Sequence, residues 1–391
     1  MHSLYLAWCY IHYHRLKSGM IVLALCILLY LPLGLNQLVQ QAQNHLMDRA
    51  AATPLLLGPR GSALDLVIDA LYFQHREQHP IPYSTLNTLQ TRNPGKHIPV
   101  YSRFNAQGHT IIGTHLEYFD FRKLQMQQGH SLSQLGECIL GATVAKDLGL
   151  SVGETLTSSP ENVFDLAGAY PLKMHIAGIL APTGTPDDDA VFVDLKTAWI
   201  LTGLLHGHDA LDENTDKDLL LKQSDSTLTA NAKLEQFMEI TDENRSGFHF
   251  HGDQGEFPIT AVIYAPENQK AHDLALGHYQ SHETLQLVAP HQIIENLLST
   301  LFRIRDFISA GYMLVALATG LLLTLIIALS LRLRESEMRT MMEVGCARNT
   351  LIRLLTAELA TLLLASLLLA GVLLALTNHF APQLLNLLWS R

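Results

Sequence analysis

The sequence has few cysteines and little positive charge. Only 4 of its 391 residues are cysteine, and one of these, Cys138, lies in the long polar region between residues 40 and 305. No disulfide can therefore form within that region. Lys and Arg number 26 against 36 Asp and Glu, which gives a net charge of −10. This balance argues against a nucleic acid as a partner.

The common catalytic motifs are also absent. The chain has no GxxxxGK[ST] phosphate loop, no HExxH and no GxSxG. The glycine-rich stretch Gly58–Ser62 lacks the lysine and the spacing of a phosphate loop. We therefore expect a non-catalytic protein without an intrinsic cofactor. Any ATP hydrolysis linked to it would come from a separate subunit.

Apolar residues are concentrated in three blocks. The block Phe307–Leu331 has 25 residues and no formal charge. As a helix rising about 1.5 Å per residue, it would exceed the roughly 30 Å core of a bilayer. The first block resembles a cleaved signal peptide in following a basic stretch, but no small-residue cleavage site comes after it. We favour a retained span and predict transmembrane helices over residues 19–39, 307–331 and 353–377.

Basic residues predict how these spans are oriented. Arg15 and Lys17 precede the first span, and five arginines lie near or between the ends of the second and third spans: Arg332, Arg334, Arg339, Arg348 and Arg353. Basic loops favour the cytoplasmic side. We therefore expect residues 1–18 and 332–352 to be cytoplasmic, and residues 40–306 and the tail 378–391 to lie outside.

The polar region alternates between patterns typical of strands and of helices. Stalk helices are expected over 40–50 and 291–306, where the chain meets the first two spans. This mixture favours an α+β domain. The acidic run Asp187–Asp189 is interpreted as a solvated surface. Strands are predicted at His97–Ser102, Thr110–Gly113, Met174–Leu180, Ala190–Val193 and Ile259–Tyr264, and helices at Gly141–Leu148 and Leu195–Leu204.

Two segments of this region resemble parts of a known domain. Residues Gly136–Gly153 have the sequence GECILGATVAKDLGLSVG, and Met174–Trp199 follow as MHIAGILAPTGTPDDDAVFVDLKTAW. Both resemble the periplasmic core domain of ABC transporter permeases of the MacB/FtsX/LolC type. In this pattern Gly149 and Gly153 are expected at turns that need positive φ or close approach.

The segment between the second and third spans resembles the same family's coupling helix, which docks on the ATPase. Apolar and charged residues alternate there, and Gly345 is expected to end the helix; methionine adapts well at contact surfaces. By this resemblance, the residues that contact the ATPase are Arg334, Glu335, Glu337, Met338, Arg339, Met341, Met342, Glu343, Gly345 and Arg348.

The resemblance implies a fold and a function. The fold would be a helical membrane domain with three spans and a large extracytoplasmic α+β domain of the MacB periplasmic-core type, in the bacterial inner membrane. The chain would be a permease that transmits motion from a separate ABC ATPase. Its partners would be a second permease copy and a periplasmic binding protein, adaptor or lipoprotein. The family usually has four spans, and the tail here is too short to form a fourth.

Two other roles stay open for the same fold. One is a permease that releases lipoproteins or exports peptides or macrolides, which would need an apolar groove in the outer domain. The other is an FtsX-like regulator that switches a cell-wall hydrolase and transports nothing. The transported substrate is not specified by the sequence.

Histidine is abundant: 16 of the 20 histidines lie between residues 40 and 305. Two His-x-His pairs occur, each with a carboxylate nearby, and surface replacement of other polar residues would explain many of the rest. Alternate residues of a strand lie on one face, and neutral imidazole binds zinc. We therefore predict a zinc site formed by His206, His208, Asp209, His249, His251 and Asp253.

Overall fold

The computed structural model describes residues 2–74, 79–159, 171–207, 220–224, 227–230, 239–241, 243–250, 252–333 and 335–389. They form two compact units. We call Met1–His45 with Leu297–Trp389 the helical unit, and Leu46–Asn296 the core unit.

The described residues include eleven α-helices, most of them short ones in the core unit. Three long helices, α2, α9 and α11, contain the apolar blocks. The bounds are α1 His2–Tyr13, α2 Arg15–Ala51, α3 Ala63–Tyr72, α4 Ser84–Arg92, α5 Glu117–Arg122, α6 Ala142–Leu148, α7 Leu195–Leu201, α8 Gln269–Tyr279, α9 Pro290–Leu333, α10 Glu335–Glu343 and α11 Arg348–Trp389.

Sixteen strands, counted over the same described residues, all lie in the core unit. They are β1 Leu55–Pro59, β2 Ile81–Pro82, β3 Gly95–Ala106, β4 His109–Thr114, β5 Met126–Gly129, β6 Glu137–Leu140, β7 Thr155–Thr157, β8 Lys173–Leu180, β9 Ala190–Asp194, β10 Leu205–Gly207, β11 Leu220–Ser224, β12 Thr227–Ala230, β13 Phe248–Phe250, β14 Pro258–Ile259, β15 Ala261–Pro266 and β16 Leu285–Val288.

Ten of these strands form one mixed sheet. Its order is β16-β1-β15-β3-β4-β9-β6-β8-β5, and β7 also pairs with β8. Strands β4 and β9 run parallel, as do β6 and β8, whereas the other pairs are antiparallel. The mixture of this sheet with short helices confirms the predicted α+β domain.

The predicted strands are found where the apolar pattern placed them. Strand β9 is buried from Ala190 to Val193, and β8 is buried from Ile176 to Leu180. Runs without a polar face are typical of strands covered on both sides. The predicted positive φ is also confirmed at Gly149 and Gly153, with values of 65° and 88°. Gly149 is the C-cap of α6, the position where a left-handed residue commonly ends a helix.

Two helices of the structure are long and apolar enough to cross a membrane. They are α2 and the Arg348–Phe380 part of α11. In α9, which contains the predicted second span, the apolar helix found over the described residues is the shorter stretch Ala310–Leu322. Two of the three predicted spans therefore have this support, and the span over 307–331 stays a prediction. Helix α11 continues beyond the predicted third span to Trp389.

Polar side chains connect α2 to α11 within the helical unit. The hydroxyls of Tyr30 and Thr377 lie 2.8 Å apart, and Gln41 Nε2 donates to Asn378 Oδ1 at 2.5 Å. Small buried side chains, Cys26 and Ser366, occur on the same helices. Small residues and hydrogen bonds of this kind hold helices together where lipid supplies no hydrophobic drive.

Gly141 provides a test of the core packing. A Cβ atom there would lie 2.3 Å from the carbonyl oxygen of Asp188 and 2.4 Å from that of Asp187. We expect Gly141→Ala to lower the free energy of unfolding by about 1–3 kcal/mol, because backbone atoms must move apart. Urea titration of the detergent-solubilised chain measures this.

The matched control is Gly277→Ala, in α8, where an added Cβ meets nothing within 4 Å. Alanine is favoured over glycine in a helix by about 0.5–1 kcal/mol, so this variant should be slightly more stable. A Gly141→Ala chain as stable as the wild type would show that the close approach is wrong.

Candidate functional site: a buried ion pair at the end of a long helix

The last turn of α2 carries a buried arginine that is paired with a buried aspartate. Arg49 Nη1 lies 2.5 Å from Asp187 Oδ2, and Nη2 lies 2.9 Å from Oδ1. The side chains are 4% and 1% exposed. Asp187 belongs to a short 3-10 turn, Pro186–Asp189, which leads into β9. The bidentate geometry matches the guanidinium fork to the carboxylate, which favours strong, directional hydrogen bonds.

The other polar atoms of the pair are also satisfied. Arg49 Nε donates to the carbonyl oxygen of Leu71, and Nη2 donates to the Tyr118 hydroxyl at 2.8 Å. The Tyr118 hydroxyl in turn donates to Asp187 Oδ1 at 2.7 Å. Buried charges are tolerated only where such partners replace water. The site therefore binds the end of α2 to α3, to α5 and to the 3-10 turn Pro186–Asp189, which we call the acidic turn.

The electrostatics of the site keep its aspartate charged. Burial alone would raise the pKa of Asp187, but the Arg49 guanidinium outweighs burial and holds the pKa below its usual range. Burial raises the pKa of Tyr118 to about 12, so its hydroxyl remains a donor at neutral pH. Asp187 therefore stays ionised beside Arg49 at neutral pH.

A second arginine lies beside the pair. Arg122, at the end of α5, donates from Nη2 to Thr53 Oγ1 at 2.9 Å and lies 5.7 Å from the Tyr118 ring centroid. Its Nε is buried without a hydrogen-bond partner. Burial and then the like charge of Arg49 lower its pKa, yet an arginine stays protonated. Two arginines and one aspartate give this cluster a net positive charge.

The acidic turn holds three separate parts of the core unit together. Asp187 binds Arg49, while Asp188 accepts from the backbone N–H groups of Thr183 and Gly184 and so fixes its own loop. Asp189 Oδ1 lies 2.6 Å from Nδ1 of His109, at the start of β4. The interpretation of this run as a solvated surface was wrong: the exposed fractions of Asp187 and Asp188 are 1% and 8%.

The predicted coupling segment forms a short helix. Arg334 lies outside the described residues, α10 covers Glu335–Glu343, and Gly345 follows with a φ of 97°. The side chains of Met341, Met342 and Val344 are exposed, Val344 by 84%. Arg348 begins α11. The structure therefore presents an apolar, adaptable surface here, while the predicted contact with an ATPase stays a prediction.

The predicted zinc residues are only partly described. His208, Asp209 and His251 lie outside the described residues. His206 and His249 are found in β10 and β13, and Asp253 Oδ1 accepts from the N–H of Gly255 at 2.9 Å. Over the described residues, no group of three or more His, Cys, Asp or Glu could hold a metal ion.

The ion pair was missed in the sequence because its members are 138 residues apart. Arg49 was part of a predicted stalk helix, in which an arginine is ordinarily exposed. One signal was available: a proline, Pro186, followed directly by three aspartates before a strongly apolar strand is unusual for a solvated loop. This signal indicates a turn of unusual composition, but it does not show which residue pairs with Asp187.

Comparison with known proteins identifies the core unit. Residues 52–237 match the family model of the MacB-like periplasmic core domain. The chain is similar to the periplasmic region of MacB from Actinobacillus actinomycetemcomitans, with 10% identity, a TM-score of 0.34 and coverage of 64% of this chain and 97% of that one. It is also similar to the extracellular domain of the noncanonic ABC-type transporter YknZ from Gram-positive bacteria, with 13% identity, a TM-score of 0.32 and coverage of 60% and 98%. No curated protein matches.

The region 52–237 is thus a MacB-like periplasmic core domain, joined in one chain to two helices long enough to cross a membrane. This match covers residues 52–237 and is to the domain described as the MacB-like periplasmic core domain. The resemblance predicted from Gly136–Gly153 and Met174–Trp199 is confirmed, since both segments lie within the matched residues.

Removal of one partner tests the ion pair. Arg49→Met should lower the free energy of unfolding by about 3–5 kcal/mol, because it leaves the Asp187 carboxylate buried without its cation. Unfolding of the full chain in detergent by urea measures this. As control, Arg60→Met replaces an exposed arginine and should cost far less. Equal losses in the two variants would contradict the assigned role.

The His109–Asp189 pair makes stability depend on pH. The hydrogen bond to Asp189 raises the pKa of His109, although burial opposes it. A histidine whose pKa is raised by folding contributes its full stabilisation below the unfolded-state pKa of about 6.5. This contribution is lost as pH rises through the folded-state pKa. Wild type should therefore exceed His109→Gln in stability most below pH 6.5, and the gap should close at higher pH.

Melting temperatures between pH 5 and 9 measure that gap. Other histidines, such as His97, whose pKa burial lowers, titrate in both proteins and cancel in the difference. Asp189→Asn should show the same pH dependence as His109→Gln. A gap that widens with rising pH would contradict this assignment.

Proposed function

We propose that the chain is the membrane permease subunit of an ABC transporter whose ATPase is a separate protein, and that it moves its extracytoplasmic domain when ATP is hydrolysed. The observation that carries this proposal is the buried pair between Arg49 and Asp187. It fixes the last turn of α2, a helix apolar enough to cross a membrane, to the turn that contains Asp187.

Force could pass along this chain in a simple way. Closure of two ATPases would displace the exposed α10 surface, and the helices of the helical unit would carry the displacement. The last two turns of α2 are held by five polar contacts. Four come from Arg49, to Leu71, Tyr118 and both oxygens of Asp187, and one comes from the Tyr72 hydroxyl to the carbonyl oxygen of Leu46. A displaced α2 would therefore move α3, α5 and the acidic turn with it.

The helical unit favours a second copy of this chain as a partner. Two ATPases need two permeases, most simply related by two-fold symmetry. Large apolar side chains on α9 and α11 are exposed in the single chain, Met313 by 73% and Leu368 by 71%. In a bilayer, lipid and a second copy would cover them. The bacterial inner membrane is the corresponding location, with the core unit in the periplasm.

The cargo is a separate question. We propose a zinc-linked transport system, because the histidines of the core unit include the pairs around His206 and His249. A permease that releases lipoproteins or exports peptides or macrolides is the alternative. One cleft in the core unit is lined by polar residues, among them Lys96, His97, His115 and Glu117, beside Pro94 and Ile98. An FtsX-like regulator would instead engage a cell-wall hydrolase.

The exposed α10 surface tests the coupling to an ATPase. Replacing both Met341 and Met342 with Glu should remove at least nine-tenths of the ATP hydrolysis that copurifies with the tagged chain, because charge would be buried at the contact. Leu274→Glu is the control, since it places the same charge on an exposed apolar residue of α8. If the wild-type chain brings no ATPase activity with it, or the α10 variant retains all of it, the proposal fails.

A further inference from the structure

The polar cleft of the core unit carries charged side chains of both signs. It lies where the end of α4, the start of β3 and helix α5 meet, and Lys96 of β3 lines it together with Glu117 and Asp120 of α5. Its volume is about 420 Å³, within the range of roughly 300–1,000 Å³ that is usual for small-molecule sites. All three charged side chains are exposed, so a dissolved molecule can reach them.

The two carboxylates of the cleft are neighbours on one helix. Glu117 and Asp120 are three positions apart in α5, so they share a face of that helix. Together they present a negative charge that is suited to an ammonium group, and Lys96 presents a positive charge that is suited to a carboxylate. The cleft therefore offers a partner for each sign of charge.

The two histidines of the cleft add hydrogen-bonding atoms but no charge at neutral pH. Burial lowers the pKa of His97, and it lowers the pKa of His115 although the nearby Glu117 opposes this. Both rings are therefore neutral at pH 7. Lys96 is then the cation among the lining residues, and the contrast between its charge and the charge of α5 is preserved.

The ring of His97 is fixed beside the cleft and is incompletely hydrogen-bonded. It stacks on the Tyr264 ring, with centroids 4.9 Å apart and planes inclined by 10°, and the Tyr264 hydroxyl donates to the carbonyl oxygen of Pro94 at 3.0 Å. Nε2 of His97 is buried and has no hydrogen-bond partner among the described residues. Because native structures keep few such atoms, this one favours a site that a bound group completes.

The position of the cleft in the sheet is also typical of a ligand site. Strand β4 runs parallel to β9, and His115 and Glu117 follow directly after the carboxyl end of β4. Ligands of open sheets with parallel strands commonly bind in crevices outside the carboxyl ends of those strands.

We propose that this cleft binds a small zwitterion, a molecule that carries one ammonium and one carboxylate group. Glu117 and Asp120 bind the ammonium group, and Lys96 binds the carboxylate. Hydrogen bonds between charged groups are roughly twice as strong as those between neutral groups, so both ends of the ligand contribute to affinity. A free amino acid and a short peptide with free ends share this chemistry. The site goes beyond the permease function proposed above and depends on neither zinc nor an ATPase.

Calorimetry with blocked probes tests the two charges separately. The purified full-length chain in detergent is titrated with alanine, with dialanine, and with the N-acetylated and the amidated form of each. We expect alanine or dialanine to bind, and loss of either end charge to lower the affinity at least tenfold. Tighter binding of alanine identifies a free amino acid as the ligand class, and tighter binding of dialanine a short peptide. If neither binds, or if blocked and free forms bind equally, the proposal is overturned.

Variants of the cleft assign each charge to its partner. Lys96→Gln should bind the free probe and its amide equally, because the carboxylate has lost its cation. Glu117→Gln/Asp120→Asn should bind the free and the N-acetylated probe equally. The controls Lys270→Gln and Glu283→Gln change exposed residues outside the lining and should bind as the wild type does. A cleft variant that still distinguishes the blocked probe tenfold, or a control that loses this distinction, overturns the assignment.

Two further readings on the same samples separate this site from the permease proposal. Because the substituted side chains are exposed, melting temperatures should match the wild type, so that a loss of binding reflects the cleft and not unfolding. ATP hydrolysis that copurifies with the chain is measured as well. If no zwitterion binds while ATPase copurifies, this inference falls and the permease proposal stands.

Discussion

The buried pair between Arg49 and Asp187 is the interaction on which the arrangement of the core unit depends. Moving either charge out of water costs several kcal/mol, and their attraction offsets this only with good geometry and full hydrogen bonding. Both conditions are met, because two parallel hydrogen bonds join the side chains and Tyr118 contacts both of them. The pair therefore holds in one geometry only, and loss of either member leaves a buried charge.

The acidic turn connects the Arg49–Asp187 pair to other elements of the core unit. Its three aspartates bind α2, the turn's own loop and β4, and Gly141 at the start of α6 approaches its backbone so closely that no Cβ fits. The end of α2 is therefore connected to the centre of the sheet through β9, which follows the turn. The proposed transmission of motion would need a stiff connection of this kind.

The sequence predicts the local structure here better than the sites. Apolar runs locate strands such as β8 and β9, and Gly149 and Gly153 indicate turns, because these signals depend on neighbouring residues. The partners of Arg49 could not be predicted, since the contact joins residues 138 positions apart. The histidines show the same contrast between local patterns, which can be predicted, and long-range contacts, which cannot. Period-two spacing predicts pairs within a strand, whereas the facing of His206 and His249 depends on a register that only the fold sets.

The central claim is that the end of α2 and the rest of the core unit move as one body. Spin labels at the exposed positions 48, in α2, and 146, in α6, measure the distance between them, with Cys9 and Cys346 replaced by Ser. With the partner ATPase present, we expect one narrow distance distribution that is the same without nucleotide and with trapped ATP, and a broad one in Arg49→Met. A distribution that shifts with nucleotide in the wild type, or stays narrow in Arg49→Met, would contradict the account.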